Sequence, residues 1–187
     1  MRTVIRPCSP ADEPSLLRCR TLSFLDTCYF DDVWTSRPEA PQIQLVAIDD
    51  DGVIGILDVE IEDGLATIDT VAVHPDHRHR GIASQLLSRA LEELPATVGT
   101  LDAWTREDEA ALAWYHRHGF TESEHYLHVY KHWSESGDGW SSPSGRSAPV
   151  TAFCHGALAD EASLRERFAR VYVCRRFSRA PKAAPRS

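Results

Sequence analysis

Two Asp-Gly turns constrain this chain more than anything else in it. The first lies in "AIDDDGVIG" and joins "QLVAIDD", which begins at Gln44, to "VIGILDVEI" (Val53–Ile61). The second lies in "EIEDGLAT" and joins that segment to "LATIDTVAV" (Leu65–Val73). Asp-Gly between apolar segments favours the tight turns of antiparallel hairpins, because both residues tolerate positive φ. Three strands in succession are therefore expected from 44 to 73, and the rest of the fold must be built around them.

The third strand changes character as it leaves the meander. "TVAVHPDHRHRGIASQLL" (Thr70–Leu87) passes through histidines and two arginines to a glycine, then enters a run that places Leu86, Leu87, Ala90, Leu91 and Leu94 on one helical face. Pro95 ends that helix. A strand that turns directly into a helix aims several free N–H groups at one point, and the helix dipole adds about half a positive charge there. Arg78, His79, Arg80, Gly81, Ile82, Ala83 and Ser84 thus form a candidate cradle for an anion such as a pyrophosphate, with Gly81 leaving room for backbone to approach it. The G-K-[ST] ending of a Walker A loop is missing, and a dinucleotide fingerprint would need three glycines.

Thr3–Arg6 reads as a first strand, and "SPADEPSLLRCRTLSF" as a helix introduced by Ser9. "DTCYFDDVWTSRPEAPQ" (26–42) is aromatic, acidic and broken by proline, a loop or short helix with Tyr29 and Trp34 as candidate substrate walls. After the cradle come a strand "VGTLDAW", a helix "EDEAALAWYHRHG" stopped at Gly119, and a strand "HYLHVYKHW". The expected organisation is a core over 1–133, a Ser/Gly-rich flexible insertion over 134–149, a helix and last strand over 150–177 completing the same domain, and a disordered tail over 178–187.

Composition narrows the function classes. The length of 187 residues suits one domain, and the net charge of −8 argues against nucleic acid as a partner. No apolar run reaches membrane-span length and the opening residues lack the apolar stretch of a signal peptide, so a cytoplasmic protein without a membrane partner is expected. Five cysteines without a C-x-x-C pair read as reduced thiols. From Ser141 onward nine Arg and Lys stand against three Asp and Glu, which leaves the preceding body strongly acidic and able to draw a cationic substrate such as an amine. The Arg-rich end is expected to form a salt-bridged helix and strand against that body. Two groups of histidines, His74, His77 and His79, and His125, His128 and His132, have neither H-E-x-x-H nor paired Cys beside them, so no metal site is expected.

"RHRGIA" (Arg78–Ala83) matches the R/Q-x-x-G-x-G/A signature of the GNAT superfamily of N-acetyltransferases. With "VAVHP" before it and "LDAWTRED" and "ALAWYHRHGF" after it, the chain resembles the family's whole motif order from about Gln44 to Tyr130, and departs from it beyond Trp133. The resemblance implies an α/β fold with a mixed, mostly antiparallel central sheet, a parallel central pair and helices on both faces. It implies acetyl-CoA as co-substrate, with the pyrophosphate on the cradle and the pantetheine along Val71, Ala72 and Val73 where that strand splays from its neighbour. Tyr115, in "Y-x-x-x-GF", takes the family's general-acid position. The family's cofactor-contacting Asn, seven residues earlier, is here Asp108, which keeps an acceptor and loses the amide donor.

For the base that strips the ammonium, Asp69 ranks first because strand alternation would put it on the face of Val71; Asp58 and Glu60 share one face of the neighbouring strand, with Glu60 ranked second. The expected activity is transfer of an acetyl group to a primary amine, small-molecule or peptide, by direct attack. A CoA-binding regulatory module without turnover and a transferase of longer acyl chains are the rival readings. In the family, strands at the C-terminal end often take part in dimerisation, so a homodimer is among the expected forms.

Overall fold

The computed structural model describes residues 3–37 and 41–181. In chain order its elements are β1 (Val4–Pro7), α1 (Glu13–Phe24), β2 (Ile43–Asp49), β3 (Gly52–Glu62), β4 (Leu65–Val73), α2 (Ile82–Glu93), β5 (Thr100–Thr105), α3 (Glu109–Arg117), β6 (Thr121–Lys131), β7 (Ala152–Gly156), α4 (Glu161–Arg167) and β8 (Arg170–Arg179). The meander forms as the turns require, and Asp63 and Gly64 both take positive φ (46° and 83°) at its second hairpin. The strands lie in the order β1-β2-β3-β4-β5-β8-β6-β7, and every pairing is antiparallel except β4 with β5. The sheet is therefore mixed and mostly antiparallel, with the parallel pair at its centre.

Helices cover both faces. Leu86, Leu87 and Ala90 of α2, with Leu94 just after it, join Leu57, Val59, Ala66 and Ile68 in the main core, which Tyr115, Phe120 and Phe177 extend towards β8. On the opposite face Leu16 and Cys19 of α1 pack on Val46, Val53 and Ile56. A third cluster, Leu127, Val129, Phe168, Val171 and Val173, is covered by Leu164 and Trp140. The stretch expected as an insertion thus adds Trp140 to the core although it contains no helix or strand. No described helix is long and apolar enough to cross a membrane.

Three features depart from the sequence expectation. β7 was not anticipated, because "AFCHG" is short and carries a histidine and a glycine; it is held by five residue pairs to β6. β8 runs on through Ser178 and Arg179, two residues into the expected tail, while 182–187 lie outside the described residues. The third departure is a β-bulge. Asp58 pairs with Thr70 but Val59 pairs with Ile68, so Asp69 is an extra residue in β4. Ala66 and Ile68 face the main core before it, and Val71 and Val73 pack there after it. Alternation does not carry across a bulge, and Asp69 stands with Thr70, whose hydroxyl donates to it at 3.0 Å, not with Val71.

The start of α2 is set by how closely it lies on β3. A Cβ on Gly55 would stand 2.7 Å from Cγ2 of Ile82 and 3.2 Å from Cδ1 of Leu86. Gly55→Val is expected to destabilise the protein by about 1–3 kcal/mol through overpacking, read as a lowered urea midpoint with an unchanged m-value.

Candidate active site

β4 and β5 part company at the bulge. Their pairing ends at Ile68 and Ala103, after which β5 continues through Trp104 and Thr105 in company with β8. His74 N–H donates to the Ile54 carbonyl of β3 at 2.9 Å. By the alternation of an antiparallel pair, Ala72 also turns its N–H to β3, and Val71 and Val73 turn theirs away, into the gap. Two adjoining clefts, of about 670 and about 470 Å³, share Val71, Ala72, Val73 and Tyr115.

The larger cleft ends at the cradle, where Gly81, Ile82, Ala83 and Ser84 line it. His79 and Gly81 both have left-handed backbone (φ 62° and 74°), which curls the loop so that successive N–H groups converge. The first N–H groups of α2 have no acceptor within the helix. A Cβ on Gly81 would meet only Gln85 Nε2, at 3.9 Å, so glycine is favoured here by its backbone conformation and not by lack of room. The two arginines differ in their commitments. Arg78 forms a two-pronged pair with Asp26 (2.7 and 2.9 Å) and donates to Ser23 O, whereas Arg80 is exposed and donates to Asp76 O.

The smaller cleft holds the groups able to move protons. Tyr115 is 4% exposed, its ring stacked on Phe177 with centroids 5.3 Å apart and edge-on to Phe120. Burial raises its pKa well above the ordinary phenol value, so it stays protonated. Asp69 is exposed at the bulge and lines this cleft. Glu60 does not reach it: it pairs with Thr67 farther along β3, faces solvent and lines neither cleft, because the splay begins only beyond Ile68. Asp58 is buried opposite Thr70 and paired with Arg37.

The segment between α1 and β2 forms the far wall. Tyr29 lines the cleft as expected, its hydroxyl accepting from Arg106 N–H at 3.1 Å and its ring lying under the Arg106 guanidinium. Trp34 does not line it; its ring stacks on the Arg20 guanidinium at 3.5 Å and so supports the wall from behind. Asp108, at the start of α3, lines the cleft with one oxygen engaged by the loop, accepting from Cys28 N–H at 3.0 Å.

Two buried arginines escaped sequence reasoning. Arg20 (3% exposed) donates to the Asp32 carbonyl and carboxylate, and Arg106 (8% exposed) donates to Cys28 O, Tyr130 Oη and His128 Nδ1. Nothing in their spacing marks them, since their partners come from other elements. The remaining carboxylates of the cleft, Asp26, Asp32, Asp69, Asp108 and Glu109, outnumber its arginines, Arg20 and Arg78, both of which are paired. The Arg-rich end is ion-paired to the body, through Arg165 with Glu107, Arg170 with Asp31 and Arg176 with Asp102. Among the described residues no three potential ligands gather as a metal site.

Residues 40–122 match the family model described as acetyltransferase (GNAT) domain. Among solved structures the chain is similar to the ribosomal-protein-S18-alanine N-acetyltransferase from Escherichia coli, at 16% identity and a TM-score of 0.61 over 98% of this chain and 96% of that one. It is similar to PaiA N-acetyltransferase from Thermoplasma acidophilum in complex with coenzyme A, at 17% identity and a TM-score of 0.55 over 66% of this chain and 92% of that one. It is also similar to Arabidopsis thaliana NAA60 in complex with a bisubstrate analogue, at 14% identity and a TM-score of 0.59 over 96% and 98%. At these identities the likeness is one of fold. Sequence comparison with curated proteins gives no match.

Burial raises the Asp58 carboxyl above its ordinary value, to about 6, and the Arg37 pair offsets only part of that effect. The native state therefore binds this proton more tightly than the unfolded chain, and the group's contribution to stability falls as pH rises from about 4 to about 6, by about 3 kcal/mol. Carboxylates held low by arginine, such as Asp26 and Asp31, change stability in the opposite direction. Urea midpoints of wild type and Asp58→Asn should accordingly diverge across that window, with the wild type losing ground to the variant as pH rises.

Proposed function

The chain carries an acetyltransferase domain of the GNAT family, and from that premise we propose that it moves an acetyl group from acetyl-CoA to a primary amine, of a small molecule or a peptide, by direct attack. The residues present fit that co-substrate: a loop with two left-handed residues, three leading N–H groups of α2 and open space beside Gly81 suit a pyrophosphate, and the free edge of β4 suits the amide-bearing arm. When bound, acetyl-CoA supplies an acyl group activated as a thioester.

The chain's own residues supply the rest. Val71 and Val73 present backbone N–H groups in the gap, where an oxygen gains negative charge as the amine attacks; one preorganised donor of this kind is typically worth about 3 kcal/mol. Asp69, exposed at the bulge, takes the proton that the ammonium must lose, directly or through water. Tyr115, kept protonated by burial and held flat against Phe177, gives its phenolic proton to the departing thiolate. The acid-lined cleft concentrates the cationic acceptor.

The observation that carries this reading is the parting of β4 from β5 at Asp69, which brings a free strand edge, a carboxylate and a protonated phenol to one gap. A carboxylate and a protonated phenol beside that edge support transfer over CoA binding alone.

The test is release of free thiol from acetyl-CoA over a panel of amines, with CoA affinity measured by calorimetry. Tyr115→Phe is expected to lower kcat about 100-fold while leaving the Kd for CoA little changed, and wild-type turnover in that variant would remove the general-acid role. Gly81→Val must hold a β-branched residue at positive φ at a cost of about 1–2 kcal/mol, and it adds bulk to a residue that lines the cleft. Its Kd for CoA should rise about tenfold or more; unchanged affinity in the folded variant would remove the cradle.

A further inference from the structure

On the sheet face that carries α1, the half built from β5, β8, β6 and β7 is lined with rings. Trp104 of β5 lies 5.1 Å from Tyr126 of β6, and Tyr126 lies 4.5 Å from His155 of β7, centroid to centroid. His128 stacks on His155 at 5.3 Å, and Phe153, 49% exposed, closes the row at the sheet's edge. Trp104 also lines the cleft that holds Asp69 and Tyr115. The rings therefore form a continuous lane that begins in the acid-lined gap and runs outward to the edge strand.

The charges beside this lane decide what it suits. Arg106 lies beneath it with its guanidinium engaged by Cys28 O, Tyr130 and His128, and Arg170 is paired with Asp31. Burial and the neighbouring Arg106 hold His128 at about 4, so its ring is uncharged near neutrality. Beyond the gap the carboxylates beside the lane, Asp31, Asp102 and Glu124, are already paired with Arg170 and Arg176, so a second ammonium group placed there would find no free carboxylate. A neutral planar ring would meet ring faces and edges at stacking distance.

We propose that the acceptor is an arylalkylamine, a primary amine joined by a short chain to a neutral planar ring, with its ammonium at Asp69 and its ring on Trp104, Tyr126 and His155. This inference rests on the transferase reading of the same gap and assigns it a substrate class.

The experiment compares phenethylamine, its non-planar analogue 2-cyclohexylethylamine and the dication putrescine, by calorimetric binding in the presence of CoA and by thiol release with acetyl-CoA. Phenethylamine is expected to bind, and to be used, about tenfold better than either of the others. That ratio should fall towards one in Tyr126→Ala and in His155→Ala, the latter an exposed position whose truncation leaves the core intact. Equal use of phenethylamine and 2-cyclohexylethylamine, superior use of putrescine, or a preference that survives both variants overturns the proposal. Selective binding of phenethylamine without thiol release from any amine would support the lane and remove the transferase reading. If sedimentation shows a dimer that Tyr126→Ala dissociates, with no preference for the ring, the lane belongs to a second copy of the chain and the proposal is overturned.

Discussion

Where β3 places Asp58 and Val59 side by side, β4 places three residues, Ile68, Asp69 and Thr70. That single extra residue reverses which side chains face the core, and its effects run through the molecule. Val71 and Val73 take over the core positions that Ala66 and Ile68 hold before it. The strand bends away from β5, so two backbone N–H groups are left without a strand partner at the centre of a sheet, where burial without a partner is costly. A gap in the middle of a sheet is stable only if its walls are held from elsewhere, and the rest of the structure supplies those walls.

On one side α2 and α3 do so by packing. Gly55 lets α2 settle onto β3, and Tyr115, Phe120 and Phe177 fix α3 against β8 by ring contacts. On the other side the described residues of the wall between α1 and β2 form no helix or strand. It is fastened by polar ties from six separate places: Arg78 to Asp26, Asp108 to Cys28, Arg106 to Tyr29, Arg170 to Asp31, Arg20 to Asp32 and Arg37 to Asp58. The exposed pairs among them each add little stability, on the order of 0–1 kcal/mol, so their main effect is to fix position. Arg20 and Arg106 are buried and cannot lose their partners as cheaply. Because Arg78 belongs to the loop before α2 and Asp26 to the wall, the two ends of the groove are joined by one ion pair.

Much of the frame could be read from residues alone. The Asp-Gly turns specified the hairpins, the leucine spacing specified α2, and "RHRGIA" marked the turn into that helix, because each is a local pattern whose physics acts within a few residues. The position of Tyr115 beside the gap was legible through the motif that follows it. Asp69 was picked for a reason that did not hold, since alternation was assumed to continue where a bulge interrupts it. Glu60 and Trp34 were assigned to the site from strand parity and from aromatic content, and the fold turns both elsewhere. Arg20, Arg106 and the strand β7 gave no signal, because what defines them is partners far away in sequence.

By itself the sequence determined the elements and their local geometry: an antiparallel meander, a strand-to-helix junction with free N–H groups, and a tyrosine on a helix that stops at glycine. Turn conformation, helical periodicity and helix-end N–H groups are short-range properties, and they hold in whatever fold contains them. Only the tertiary structure decided that β4 leaves β5 at Asp69, that the loop between α1 and β2 becomes a wall, and that rings from β5, β6 and β7 line up beside the gap. Strand register and long-range pairing set those arrangements. They are fixed by the simultaneous packing of many distant residues, and no single stretch of the chain carries them.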